Sequence, residues 1–391
     1  VSASFKLAGP LAAVALVAAC GAESRPPPLG DDTGDSGAQG GSSGGSLVSD
    51  AGLQAKSCSL GPDGGVCACA DEPLLGDPPT IYFVLDRSGS MNDNSKWLTE
   101  QTVLEKLWIA LGPRVKVAAA VFPGNGADSC TGGVQAYPLP GQPPVQGDAP
   151  SGTPGPNELA FLETLGALPA EGGTPTAATL VSVQSILQGI SGKKYVVLAT
   201  DGGANCDTSA SCTADGCTDN LESVGTCTPG GANCCDPTTG GDVRACLDAT
   251  PTLSAVTAIA AAGVPVYVVG LVGSGPYGSF LDSLAKAGGT SRGSEPQYYA
   301  VTTTDQAALL TAMSQIAAKI AGSCTLTLNQ LPPDPTQINV FLDGNVLPQS
   351  GPDGWTIDGT VVTILGASCQ QILEGAVLDV RVVAGCPTVE L

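Results

Sequence analysis

Three short segments carry side-chain oxygens in an order that could hold a hard cation. The first is Asp86-Arg87-Ser88-Gly89-Ser90, directly after the apolar run Ile81-Tyr82-Phe83-Val84-Leu85. It puts one carboxylate and two hydroxyls on a turn at the C-terminal end of a buried strand, where open α/β sheets place their ligand sites. The second is Gly172-Gly173-Thr174-Pro175-Thr176, which opens an apolar helix. The third is Asp201-Gly202, closing a second buried strand, Tyr195-Val196-Val197-Leu198-Ala199-Thr200. Such oxygens suit Mg²⁺, Ca²⁺ or Mn²⁺. Each segment also has a plainer reading. Asp86-x-Ser88-x-Ser90 fits a helix N-cap with an Asx turn. Pro175 suits the first turn of a helix, and Asp201-Gly202-Gly203 reads as a turn.

The elements that must position these residues follow from periodicity. Pro78 to Gly322 alternates strand and helix, which predicts a mostly parallel sheet covered on both faces. The strands are Thr80–Leu85, Val115–Phe122, a short edge strand Gly133–Tyr137, Lys193–Thr200, Val264–Leu271 and Gln297–Thr302. Helices are predicted from Trp97 to Leu111, Asn157 to Leu168, Thr176 to Ile190, Pro251 to Ala262, Gly278 to Ala287 and Asp305 to Ile320. Residues 203–248 interrupt the pattern as a Cys-rich insert, and 57–77 form a short Cys-rich segment. Residues 323–391 read as a small all-β domain: Ile338–Leu342 with Val346–Leu347 about Asp343-Gly344, Trp355–Ile357 with Val361–Leu365 about Asp358-Gly359, and a strand Leu378–Val383.

The order Asp-x-Ser-x-Ser, then Thr, then Asp resembles the metal-ion-dependent adhesion site of von Willebrand factor type A (VWA) domains, including integrin inserted domains. The succession of elements resembles that domain over nearly all of 78–322, with the insert as the main departure. The resemblance implies a doubly wound, six-stranded sheet with helices on both faces and one divalent cation, Mg²⁺ first, with Mn²⁺ or Ca²⁺ as alternatives. It implies that Ser88 and Ser90 touch the ion, that Asp86 and Asp201 act mainly through water, and that Thr174 does either. Neutral hydroxyls leave most of the dication's charge uncompensated, so an acidic group of a protein or glycan ligand can complete the shell.

Composition narrows the alternatives. The formal net charge is −21 and there is no histidine. The first argues against binding nucleic acid, and the second removes the commonest general base and zinc ligand. A hydrolase built on Ser88 lacks a histidine partner and the Gly-x-Ser-x-Gly elbow; Lys193 and Lys194 sit at the opposite end of their strand. The reading is therefore a binding module and not an enzyme. The alternatives are a metal-independent envelope scaffold with a degenerate VWA module and, more remotely, a Ser-dependent hydrolase.

The N-terminus reads as an export signal over 1–19, with Lys6 ahead of the apolar stretch Leu11–Ala19. That stretch falls short of the ~20 apolar residues a membrane span needs. Val17-Ala18-Ala19-Cys20 resembles a bacterial lipobox, which implies lipidation of Cys20 and a chain lipid-anchored at the outer membrane or cell surface. The membrane is then met through the anchor only. Residues 20–56, with Pro26-Pro27-Pro28 and the Gly/Ser run 40–46, read as a disordered linker. In an exported chain the remaining cysteines read as disulfides. The groups Cys58/Cys67/Cys69, Cys130, the insert cysteines Cys206 to Cys246, and Cys324/Cys369/Cys386 are each odd, so full pairing needs bridges between groups. VWA topology further implies a bridge from the first group to the last, since it brings the termini together. It also sets Cys130 against the insert, with Cys206 one candidate partner. The oligomeric state is not legible.

Overall fold

The computed structural model describes residues 56–60, 65–74, 76–126, 128–148, 154–214, 217 and 233–390. The export signal, Cys20, most of the linker and part of the insert lie outside the described residues.

The chain enters through a hairpin, β1 (Lys56–Ser59) and β2 (Val66–Asp71). The central α/β body follows, with β3 (Thr80–Asp86), α1 (Lys96–Leu111), β4 (Lys116–Phe122), β5 (Val134–Tyr137), β6 (Val145–Gln146) and α2 (Pro156–Gly166). It continues through α3 (Thr176–Gly189), β7 (Lys194–Thr200), α4 (Ala249–Ala261), β8 (Val266–Gly270), α5 (Gly278–Ala287), β9 (Tyr299–Ala300) and α6 (Gln306–Ala321).

The sheet runs β5-β4-β3-β7-β8-β9, with β6 also on β4, which makes seven strands, not the six expected. Two short segments share one edge: β5 pairs antiparallel with the end of β4, and β6 with its start, Lys116 opposite Gln146. Pairings β4–β3, β3–β7, β7–β8 and β8–β9 are parallel. Strand β3 is buried along its whole length, as a run apolar on both faces requires. Ile81, Phe83 and Leu85 pack with α1, α2 and α6 residues such as Trp108, Phe161 and Met313. Tyr82 and Val84 face the other way, onto Leu180, Val256 and Leu281 of α3, α4 and α5. The period of two along one strand thus makes two cores.

The chain leaves β3 for β4 on one side, then crosses to β7 on the other. The C-terminal ends of β3 and β7, bearing Asp86 and Asp201, therefore flank the point where strand order reverses.

The C-terminal part comprises β10 (Thr325–Thr327), β11 (Ile338–Leu342), β12 (Asn345–Leu347), β13 (Trp355–Asp358), β14 (Val361–Ile364), α7 (Gly366–Glu374) and β15 (Val380–Ala384). Two corrections apply. It is not all-β, because α7 lies between β14 and β15. Nor is it built from 323–391 alone: its five-stranded sheet is ordered β1-β2-β15-β11-β12 and takes two strands from the start of the described chain. The helix escapes periodicity because its N-terminus is capped from a distance, the Asp353 carboxylate accepting the N–H of Ala367 at 2.7 Å.

Disulfides join Cys58 to Cys69, Cys67 to Cys386, Cys130 to Cys206, Cys212 to Cys246, Cys217 to Cys235 and Cys324 to Cys369. Among the described residues no helix is long and apolar enough to cross a membrane.

Candidate metal site

The site is built on the turn after β3. The backbone is anchored first: the Arg87 N–H donates to the Phe122 carbonyl at 2.7 Å, and the Arg87 carbonyl accepts from Glu171 at 2.7 Å. The Arg87 side chain is fully buried and acts as a tie-rod for three loops. Its guanidinium donates to the carbonyls of Pro123 (2.9 Å) and Pro169 (2.6 Å) and to Asn125 Oδ1 (2.9 Å).

Asp86 is held beneath the turn. Its Oδ1 accepts the Ser88 N–H at 2.8 Å, and its Oδ2 accepts the Thr200 hydroxyl at 2.6 Å. The first bond is the Asx turn expected from the sequence. Ser88 and Ser90 project on the same side, with their hydroxyl oxygens 3.1 Å apart. The Ser90 hydroxyl donates onward to Asp201 Oδ1 at 2.9 Å. Ser88, Ser90 and Asp201 therefore form one hydrogen-bonded chain at the C-terminal edge of the sheet.

Thr174 reaches this edge through its backbone. The Gly89 N–H donates to the Gly172 carbonyl at 3.0 Å, tying the two loops together. Thr174 is itself held by Asn205, whose Oδ1 accepts the Thr174 N–H at 2.8 Å and whose N–H returns to the Thr174 carbonyl at 2.9 Å. Gly172 has φ +83°, and a Cβ there would lie 2.7 Å from the Ser129 carbonyl oxygen, so this close turn needs glycine. The adjoining Gly173 N–H donates to that same carbonyl at 2.9 Å. The Cys130–Cys206 bridge, Cα to Cα 5.3 Å, thus ties the loop resting on the Thr174 segment to the start of the insert.

Lys96 and Glu100 also lie at this site, and the sequence reading missed them. Lys96 is the first residue of α1; its ammonium bonds Asp201 Oδ2 and also donates to the Val272 carbonyl at 3.2 Å. Glu100, one turn further on the same face, is fully buried, and neither carboxyl oxygen has a hydrogen-bond partner. Burial first, then the charges of Asp86 and Asp201, raise its pKa well above the carboxylate range. Burial also pushes Asp86 up to about 7, with Asp201 adding to the rise and hydrogen bonds from Thr200 and Ser88 opposing it.

These features fit a hard dication. Two hydroxyls and a carboxylate oxygen lie in hydrogen-bonded sequence, and Asp86, Asp201 and Glu100 are buried acids whose charges raise one another's pKa or that of a neighbour in the group. Protonation of Glu100 and Asp86 relieves the repulsion among these acids, and a bound dication would relieve it in the proton's place. Lys194 lies at the far end of β7, where its ammonium meets the Ile190 carbonyl.

No protein-family model matches the sequence, and no curated protein matches it. Solved structures do resemble the fold. The pilus adhesin SpaC from Lactobacillus rhamnosus GG aligns at 18% identity and TM-score 0.44, over 81% of this chain and 40% of that one. A von Willebrand factor type A protein from Catenulispora acidiphila aligns at 18% and 0.40, over 83% and 60%. The vWF domain of the type V pili tip protein Mfa5 from Porphyromonas gingivalis aligns at 12% and 0.40, over 62% and 95%. The chain spans about two fifths of the SpaC structure and three fifths of the Catenulispora one. Likeness at this level says nothing of ligand or activity.

Proposed function

We propose that this protein is a cell-surface binding module that recognises an acidic group of a protein or glycan ligand through one divalent cation, Mg²⁺ before Mn²⁺ or Ca²⁺. The observation that carries this reading is the hydrogen-bonded chain Ser88–Ser90–Asp201 at the strand-order reversal. When bound, the ion supplies a coordination position that a ligand carboxylate can fill.

The protein's own residues do the rest. Ser88 and Ser90 offer neutral oxygens that leave the ion's charge largely available to the ligand. Asp201 and Asp86 orient those hydroxyls and set the local charge. Thr174, fixed by Asn205, offers a further hydroxyl from the neighbouring loop. The bridged Cys130–Cys206 loops flank the Thr174 segment and restrict approach to it. Export and an anchor at Cys20 would display the module at the outer membrane or cell surface.

Titration calorimetry with Mg²⁺ and Mn²⁺, followed by retention on immobilised acidic peptides and acidic glycans, tests the proposal. The expected outcome is one binding event per chain and retention that EDTA reverses, both lost in Ser90→Ala. Retention indifferent to EDTA and to Ser90→Ala would instead support a metal-independent scaffold.

A further inference from the structure

The lysine on Asp201 has a consequence of its own. The Lys96 side chain is only 9% exposed, and that of Asp201 only 1%. A surface salt bridge between long side chains is loosely held and contributes little, but this one is enclosed. Lys96 is held at both ends, by its place as the first residue of α1 and by the carbonyl of Val272 beyond Asp201. Asp201 cannot serve the ammonium and the site independently, because its other oxygen already accepts from Ser90.

We propose that Lys96 is a tethered cation that competes with the divalent ion for Asp201 and so sets the metal affinity of this site. The proposal rests on the metal reading above. Without the ion, the ammonium is the counter-charge that lets Asp201 stay buried. A dication entering beside Ser90 must share or displace that contact and works against a positive charge fixed a few ångströms away. The repulsion scales with the product of the charges, so a dication feels the fixed ammonium twice as strongly as a monovalent ion would. Glu100, on the same face of α1 as Lys96 and without a hydrogen-bond partner, gives the displaced ammonium a second carboxyl. The lysine would also leave the occupied site more positive than its acids alone allow, which favours an acidic ligand.

Titration calorimetry and melting curves on wild type, Lys96→Gln and Lys96→Arg test this. Lys96→Gln should bind Mg²⁺ or Mn²⁺ at least tenfold more tightly than wild type. It should melt lower than wild type in EDTA, yet gain more on adding metal. Lys96→Arg keeps the charge and should bind within about threefold of wild type. A lysine that only supports the fold would lower the melting temperature in EDTA without raising metal affinity. Equal or weaker metal binding by Lys96→Gln, with wild type binding normally, overturns the tethered-cation proposal and leaves the metal reading standing. Binding by neither protein defeats both. Binding by Lys96→Gln alone is the strong form of the proposal, in which the lysine has taken the ion's place.

Discussion

Arg87 shows how much of this site is built from residues that touch no ligand. It occupies the variable position of Asp-x-Ser-x-Ser, yet its guanidinium is fully buried and satisfies two loop carbonyls and an amide oxygen. Replacing it with methionine keeps much of the volume and removes every donor. Arg87→Met should cost about 2–4 kcal/mol of stability in urea denaturation, because buried acceptors lose their partners. It should also weaken metal binding by loosening the Gly172–Thr174 loop. A cost below about 1 kcal/mol would mean that water replaces the guanidinium. Ser88, Ser90, Thr174 and Asp201 stand out in the sequence because the turn chemistry and strand ends around them are local. Lys96 and Glu100 do not. Their role needs the packing of α1 against the ends of β3 and β7, although a glutamate on the face shared with Trp97, Val103 and Leu107 was a readable irregularity.

At the scale of elements, the insert is fastened where α4 begins. Asp248 precedes that helix; its Oδ2 accepts the Asp207 N–H at 2.9 Å, while Oδ1 is buried without a hydrogen-bond partner. Burial raises its pKa to about 7, with the Asp207 charge adding and the Asp207 N–H opposing. A folded-state pKa above the ordinary 3.8 means that the native state holds this proton longer than the unfolded chain does. The resulting stability is fully present below about pH 4 and is lost as pH rises through about 7. Asp248→Asn should therefore be close to wild type in melting temperature at pH 4 and more stable than wild type at pH 8. The same difference at both pH values would show that the carboxyl is not the cause. Most helices and parallel strands of this body were legible because their apolar spacing is sustained over several turns or a whole strand. The edge was less so: β6 is two residues long, and β9 shrinks to Tyr299–Ala300 because only those residues pair with β8. Helix α7 was hidden because Asp353, its cap, lies 14 residues before Ala367.

At the scale of the molecule, a small β sheet is assembled from both ends of the described chain. The Cys67–Cys386 bridge spans 319 residues, and β2 pairs with β15 beside it, Val383 opposite Asp71. A closure over so long a loop restricts the unfolded chain strongly. Odd cysteine groups made a bridge between groups legible, but the strand pairing that accompanies it depends on contacts with no local signature. The overall charge of −21 matters here as well. It draws cations toward the surface and repels acidic ligands, so an acidic ligand needs a local positive centre to approach. The proposed dication at the β3–β7 edge, with Lys96 beside it, would supply one.

The most direct test of that centre is anomalous diffraction at the manganese edge from crystals grown with Mn²⁺. One peak is expected, within about 2–2.5 Å of the Ser88 and Ser90 hydroxyl oxygens, with the Lys96 ammonium moved off Asp201. No peak at this edge at millimolar Mn²⁺, with Lys96 still on Asp201, would contradict metal binding here.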